Sequence, residues 1–210
     1  VAANVNGRMQ VLFGGGDGWL RAYDAASGHE VWRFDGNPKD ARWLPRPGVL
    51  SRSSIIASPV FADGRVFIAM GQSPGHGDGP SLLYAISPNG QGDVTASRLL
   101  WTSRDVGRVV GTPVAKDGLL YVGDLGGTIH CLDAATGAPL PGAKARRSRL
   151  PGGLRHLGPY PRFEVGEAET LRDDGTGRID LGSGCGVERV WVIAPGRSWT
   201  SAEVPHTPGG

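Results

Sequence analysis

Short apolar runs, broken by glycine and by Asp-Gly or Asn-Gly pairs, set the rhythm of this chain. Val11–Phe13 and Trp19–Tyr23 are apolar, aromatic and β-branched in composition and bounded by glycine, the pattern of short strands. Between them Gly14-Gly15-Gly16-Asp17-Gly18 offers the positive-φ positions that a tight reversal needs, which predicts a hairpin. After the second run, Asp24 is placed to accept a hydrogen bond from an N–H two residues on. Gly28 is free to turn left-handed, so a second reversal is expected, with Glu30–Phe34 returning as a third strand.

The unit recurs. At an offset of 109 residues, Phe13, Gly14, Leu20, Asp24, Ala25 and Gly28 fall on Val122, Gly123, Ile129, Asp133, Ala134 and Gly137. A looser copy lies between them: Val66–Ala69 matches the first strand, Leu82–Ile86 the second, and Trp101 takes the place of Trp32 after a longer turn, Ser87–Leu100. Two copies are preceded by a further element, Ser58–Gly64 and Thr112–Gly118, each ending in Asp-Gly just before a strand, a strong hairpin signal. Asn6-Gly7 is a weaker match at the same place before the first copy. The module is therefore four short strands, the period of one propeller blade.

The alternation of [Ser/Thr]-Pro-Val-x-x-Asp-Gly with Leu/Tyr-x-Leu-Asp-Ala-x-[Ser/Thr]-Gly, followed by Trp, resembles the pyrroloquinoline-quinone-like (PQQ-like) β-propeller repeat over roughly residues 5–140. The resemblance implies stacked four-stranded blades, with the tryptophan after each turn docked between neighbours. It also implies one of three settings: quinone-dependent alcohol dehydrogenases, the outer-membrane assembly lipoprotein, or bacterial envelope proteins without known activity. The insertion Gly71–Pro80 followed by a Leu-Tyr-Ala-Ile strand is most similar to the last group.

Composition narrows the class. With 35 Gly and 16 Pro in 210 residues a helix-rich fold is excluded, and a hydrophobic fraction of 39% suffices for a packed core. The formal charge of +2 gives no electrostatic bias towards nucleic acid or an anionic membrane. No apolar stretch is long enough for a transmembrane helix, so direct membrane insertion is not expected. Val1 opens without a signal core, so an export signal is expected upstream and the chain reads as a segment of a longer one.

Candidate chemistry is sparse, and no catalytic, cofactor-binding or metal residue is assigned. Trp43, in the proline-rich connection Asp35–Arg52, reads as cover for a blade edge rather than a stacking platform. His76 and Asp78 lack the convergent spacing of a zinc site and fit a glycine-rich hairpin elaboration. His130 aligns with Arg21 and Tyr84, a position that tolerates varied side chains, so a ligand role is not expected there. Cys131 aligns with Ala22 and Ala85 and reads as a small core residue. Cys185 lies in glycine-rich sequence, and a bridge to Cys131 does not follow from spacing. The adjacent cysteine pair of the quinone dehydrogenases is absent. Asp173-Asp174 reads as a solvated turn.

From Pro141 the repeat stops. Residues 141–210 read as an irregular Gly/Pro/Arg-rich tail in which nine of ten basic residues are arginine. Lys144–Arg149 lacks interleaved aromatics and reads as a solvated linker, not a nucleic-acid patch. Only Gly186–Ala194 looks like a strand. Two accounts compete: a loosely folded or disordered extension, and, slightly favoured, high-GC coding sequence read out of frame. The fold expected is all-β, a partial β-propeller of about three four-stranded blades over 1–140 with an irregular C-terminal tail. An incomplete ring leaves exposed edges and is expected to be poorly soluble or dependent on further blades.

The function expected is a non-catalytic scaffold for a protein or polysaccharide partner in the bacterial periplasm or cell envelope, with no cofactor and no nucleic acid. A second expectation is a fragment of a PQQ-dependent dehydrogenase, binding PQQ and calcium through residues outside this segment. A third is a sensor or accessory module of a larger envelope protein.

Overall fold

The computed structural model describes residues 1–42, 51–71, 81–125 and 128–140, and beyond them the backbone of five strands within 144–203. The first sheet is built from β1 (Ala2–Val5), β2 (Arg8–Gly14), β3 (Trp19–Asp24) and β4 (Glu30–Asp35) in sequential antiparallel order. The second uses β5 (Val60–Ala62), β6 (Arg65–Ala69), β7 (Leu83–Ile86) and, after the excursion that holds β8 (Gly92–Asp93), β9 (Leu99–Ser103). The third has β10 (Val114–Lys116), β11 (Leu119–Gly123) and β12 (Thr128–Asp133). These are the three expected blades, and the all-β partial propeller is what the chain forms.

Local chemistry sets the register. Each blade opens on a two-residue hairpin whose central pair is at positive φ: Asn6 and Gly7 at 51° and 81°, Asp63 and Gly64 at 48° and 70°, Asp117 and Gly118 at 52° and 76°. Positive φ at both positions matches the twist of the flanking strands, and only Asn, Asp and Gly adopt it cheaply. The weak Asn6-Gly7 match is thus a true first hairpin. The later turns close as expected on Gly28 and Gly137, both at φ 74°. Asp24 accepts from the Ser27 amide at 2.8 Å, three residues on rather than two, while Asp133 accepts from both Ala135 and Thr136.

The glycine run after β2 departs from expectation. Of its four glycines only Gly18 has positive φ; Gly14 is instead small because the Ile55 side chain lies against it.

The core lies between sheets. Leu12, Leu20, Ala22, Trp32 and Phe34 of the first blade pack on Val66, Ile68, Met70, Tyr84 and Ile86 of the second. Phe67, Ala69, Leu83 and Ala85 on the other face of the second blade pack on Leu120, Val122, Leu132 and Ala134 of the third, with Trp101 against them. The tryptophans dock as the repeat implies. Trp101 donates from Nε1 to the Ala134 carbonyl of the next blade at 3.2 Å, and Trp32 is fully buried with Nε1 on Gln10 Oε1 at 3.0 Å. Cys131 is fully buried, as a core residue should be.

One feature of the second blade has no counterpart in the repeat. Strand β8 leaves its own sheet and pairs in parallel with β4, so the longer turn straps the outer edge of the first blade. The Val94 amide donates to the Arg33 carbonyl and Thr95 Oγ1 accepts from the Asp35 amide, both at 2.9 Å.

Beyond 140 the described backbone forms β13 (Lys144–Arg149), β14 (Glu169–Arg172), β15 (Arg178–Asp180), β16 (Val187–Ile193) and β17 (Thr200–Glu203). Strand β15 completes the third sheet beside β12, and the others form a fourth in the order β14-β13-β16-β17. Lys144–Arg149, expected as a linker, is therefore a strand paired on both sides, one partner being the strand expected at Gly186–Ala194.

Candidate functional site

Sequential antiparallel strands send the β2–β3, β6–β7 and β11–β12 connections, and the segments joining one blade to the next, to the same end of the sheets. The hairpins and Asp-Gly turns gather at the other end. Among the described residues the connection end carries five of the seven buried polar side chains, Asn37, Ser51, Ser53, Asp124 and His130, and two clusters form there.

The first cluster joins blades one and two. Asp17 in the β2–β3 loop receives Arg21 Nη2 at 2.6 Å and the Trp19 amide at 3.2 Å. The Arg21 guanidinium holds the Asp17 carboxyl below its ordinary value. Arg52 reaches Asp35 at 2.6 Å and the Asp17 carbonyl at 3.3 Å. Buried Asn37 brackets Ser53, accepting from its amide at 2.6 Å and donating to its carbonyl at 2.9 Å. Ile55 donates its amide to the Gly15 carbonyl at 3.1 Å, so the connection into the second blade is laced to the first blade's loop.

The second cluster joins blades two and three. Asp124 accepts from the amides of Gly107 at 3.1 Å and Thr128 at 3.0 Å, and His130 Nε2 lies 2.8 Å from its Oδ2. Burial pushes this carboxyl up, but the bonds from His130, Thr128 and Gly107 outweigh it and leave the group below its ordinary value. Leu125 donates to the Arg108 carbonyl beside it at 2.8 Å.

The clusters share a logic that alignment alone did not reveal. Arg21, Tyr84 and His130 pair across the ladder with Phe13, Ile68 and Val122, so they occupy one position in the three blades. Tyr84, its hydroxyl pushed up to about 12 by burial, donates to the Gly36 carbonyl of the preceding blade's connection at 2.9 Å. His130 acts on Gly107 through Asp124. In the second and third blades the position holds the connection from the preceding blade, while Arg21 in the first binds Asp17 and Glu30 of its own blade, and no motif announces it because the side chains differ.

His130 thus lies in the second cluster. Trp43, His76, Asp78, Asp173, Asp174 and Cys185 lie outside the described residues. Among the described residues no three His, Cys, Asp or Glu side chains come together as a metal site. Calcium takes six to eight oxygens. Asp17, Asp35 and Asp124 are separately engaged with Arg21, Arg52 and His130, so the described residues do not fit that ion.

Stacked four-stranded sheets, paired-residue hairpins and the tryptophans docked after the first two turns, Trp32 and Trp101, define a PQQ-like propeller repeat protein. Residues 16–139 match the family model described as outer membrane protein assembly factor BamB, and the chain belongs to that family. No curated protein matches the chain. Among solved structures, BamB from Moraxella catarrhalis superposes with a TM-score of 0.50 at 16% identity, over 97% of this chain and 49% of that one. The quinohemoprotein alcohol dehydrogenase ADHIIG from Pseudomonas putida HK5 superposes at 0.51 and 13% identity, over 93% of this chain and 33% of that one. The chain thus spans about half the length of the first and a third of the second.

Proposed function

We propose that this chain is a non-catalytic β-propeller scaffold that presents its loops to a protein partner in the periplasm of the bacterial cell envelope. The observation that carries the reading is the family match, which runs from the β2–β3 loop of the first blade through the end of the third repeat. The family's description as an outer membrane protein assembly factor favours protein over polysaccharide as the partner. The buried polar groups agree with it: Asn37, Tyr84 and Asp124 each spend hydrogen bonds on the backbone of an inter-blade connection.

A second reading, a fragment of a PQQ-dependent dehydrogenase, is favoured by the likeness to ADHIIG. In it PQQ and calcium would be held by residues other than those described. Calorimetric titration of the chain with pyrroloquinoline quinone and calcium chloride separates the two. The scaffold reading expects no saturable heat, and binding at micromolar concentration overturns it.

A further inference from the structure

The chain has two Asn-Gly pairs, and the fold brings them together. Asn6-Gly7 is the centre of the first hairpin, and Asn89-Gly90 lies in the excursion that leads to β8. Both asparagines are exposed, and Asn6 Nδ2 donates to Asn89 Oδ1 at 2.8 Å across 83 residues of sequence. An asparagine followed by glycine can convert itself. The glycine amide nitrogen, on losing its proton, attacks the side-chain Cγ, ammonia leaves, and water opens the resulting succinimide to aspartate or isoaspartate. Glycine favours the step because it has no Cβ to hinder the approach.

The two pairs are placed differently for that reaction. In the hairpin, Gly7 donates its amide to Asn4 Oδ1 at 2.9 Å, and Asn6 and Gly7 are pinned at φ 51° and 81° between the paired residues Val5 and Arg8. Ring closure there breaks both the bond and the turn. Asn89 and Gly90 belong to no strand, and among the described residues the Gly90 amide has no acceptor. The Asn6 donor adds to this. Oδ1 of Asn89 is the atom on which negative charge develops when Cγ is attacked, and an N–H already aimed at it stabilises that charge.

We propose that Asn89 is a site of covalent self-modification and that Asn6 is the group that activates it. The bond from Gly90 N to Asn89 Cγ forms as the Cγ–Nδ2 bond breaks, and the proton lost from Gly90 leaves with ammonia. One water then opens the ring, restoring an N–H and supplying the carboxyl oxygen. The isoaspartate product lengthens the main chain by one methylene just before β8. Since β8 holds β4 through two paired residues, the modification acts on the strap over the first blade.

The test is incubation of the whole chain at mildly alkaline pH, with peptide mapping by mass spectrometry and enzymatic methylation of isoaspartate to locate the product. In the chain unfolded by guanidinium chloride the two sites share the same chemistry and are expected to convert at similar rates. In the folded chain Asn89 is expected to convert faster than Asn6 by roughly five-fold or more. Asn6→Asp keeps the turn, as Asp63 and Asp117 do in the other blades, and removes the donor. It is expected to slow conversion of Asn89 by roughly two- to ten-fold. A substitution that only loosened the strap would speed conversion, so the sign separates activation from flexibility. Asn6→Gly, which also suits the turn, takes its place if Asn6→Asp does not fold. Equal rates at the two sites of the folded chain, Asn6 converting first, or a rate at Asn89 unchanged or raised by the substitution overturns the proposal.

Discussion

Gly18→Ala is expected to destabilise the protein by about 3 to 4 kcal/mol, whereas Gly28→Ala costs only about 1 kcal/mol. Both glycines sit in turns of the first blade at nearly the same left-handed φ, 79° and 74°. An L side chain there costs about 1–2 kcal/mol from backbone sterics alone. The difference is what a Cβ would meet. At Gly28 it meets open space; at Gly18 it runs into Asn37 Nδ2 and stands 2.5 Å from the Ser53 carbonyl, in the cluster that ties the first blade to the second. Neither group can retreat without breaking the Asn37–Ser53 pair. Urea unfolding of the two variants side by side checks this, and equal losses would show that the cluster yields easily.

Trp32→Ala is expected to cost about 3–5 kcal/mol for the lost ring, with roughly 1 kcal/mol more for the Gln10 oxygen left without its donor. The ring is fully buried between blades, and Gln10 is itself buried, so water does not readily replace the indole N–H. Trp32→Phe separates the parts: it keeps an aromatic body in the cavity and removes the donor, and a loss of about 1–2 kcal/mol is expected. Against a typical domain stability of about 5–15 kcal/mol, the alanine variant should melt many degrees below the phenylalanine variant in calorimetry.

These two residues were legible in the sequence to different degrees. Trp32 was marked by its spacing from the Asp24–Gly28 turn and by Trp101 in the looser copy, because a repeat must bury the same face each time it stacks. The Asn-Gly and Asp-Gly hairpins were legible for a local reason, since φ above zero at two successive residues restricts the choice to Asn, Asp and Gly. The special place of Gly18 among its neighbours was not, because it depends on Asn37 and Ser53, brought in by a connection without periodicity. Strand β8 leaves no mark in the sequence because a two-residue pairing between Gly92-Asp93 and β4 needs no apolar alternation. Lys144–Arg149 read as solvent-facing because composition weighs charge and is blind to backbone pairing, which is what defines that strand. Arg21, Tyr84 and His130 share one position whose variety reads as tolerance in the sequence, whereas Tyr84 and His130 answer one geometric need, holding the preceding connection, with different chemistry.

The account rests on the buried polar groups at the connection end holding the fold together, and Asp124 is where that is tested most directly. Its carboxyl lies below its ordinary value in the folded chain, so its stabilising contribution is complete above the unfolded value of about 3.9 and fades as pH falls through the folded value. Unfolding of the native chain and of Asp124→Asn, measured from pH 7 down to the acid limit, is the measurement. The account predicts that Asp124→Asn is less stable by about 2 kcal/mol at pH 7, and that the gap closes as the native carboxylate is protonated. Side chains kept for a ligand at a cost to the fold behave in the opposite way when replaced. An Asp124→Asn protein as stable as the native chain, or more stable, at pH 7 would contradict the account.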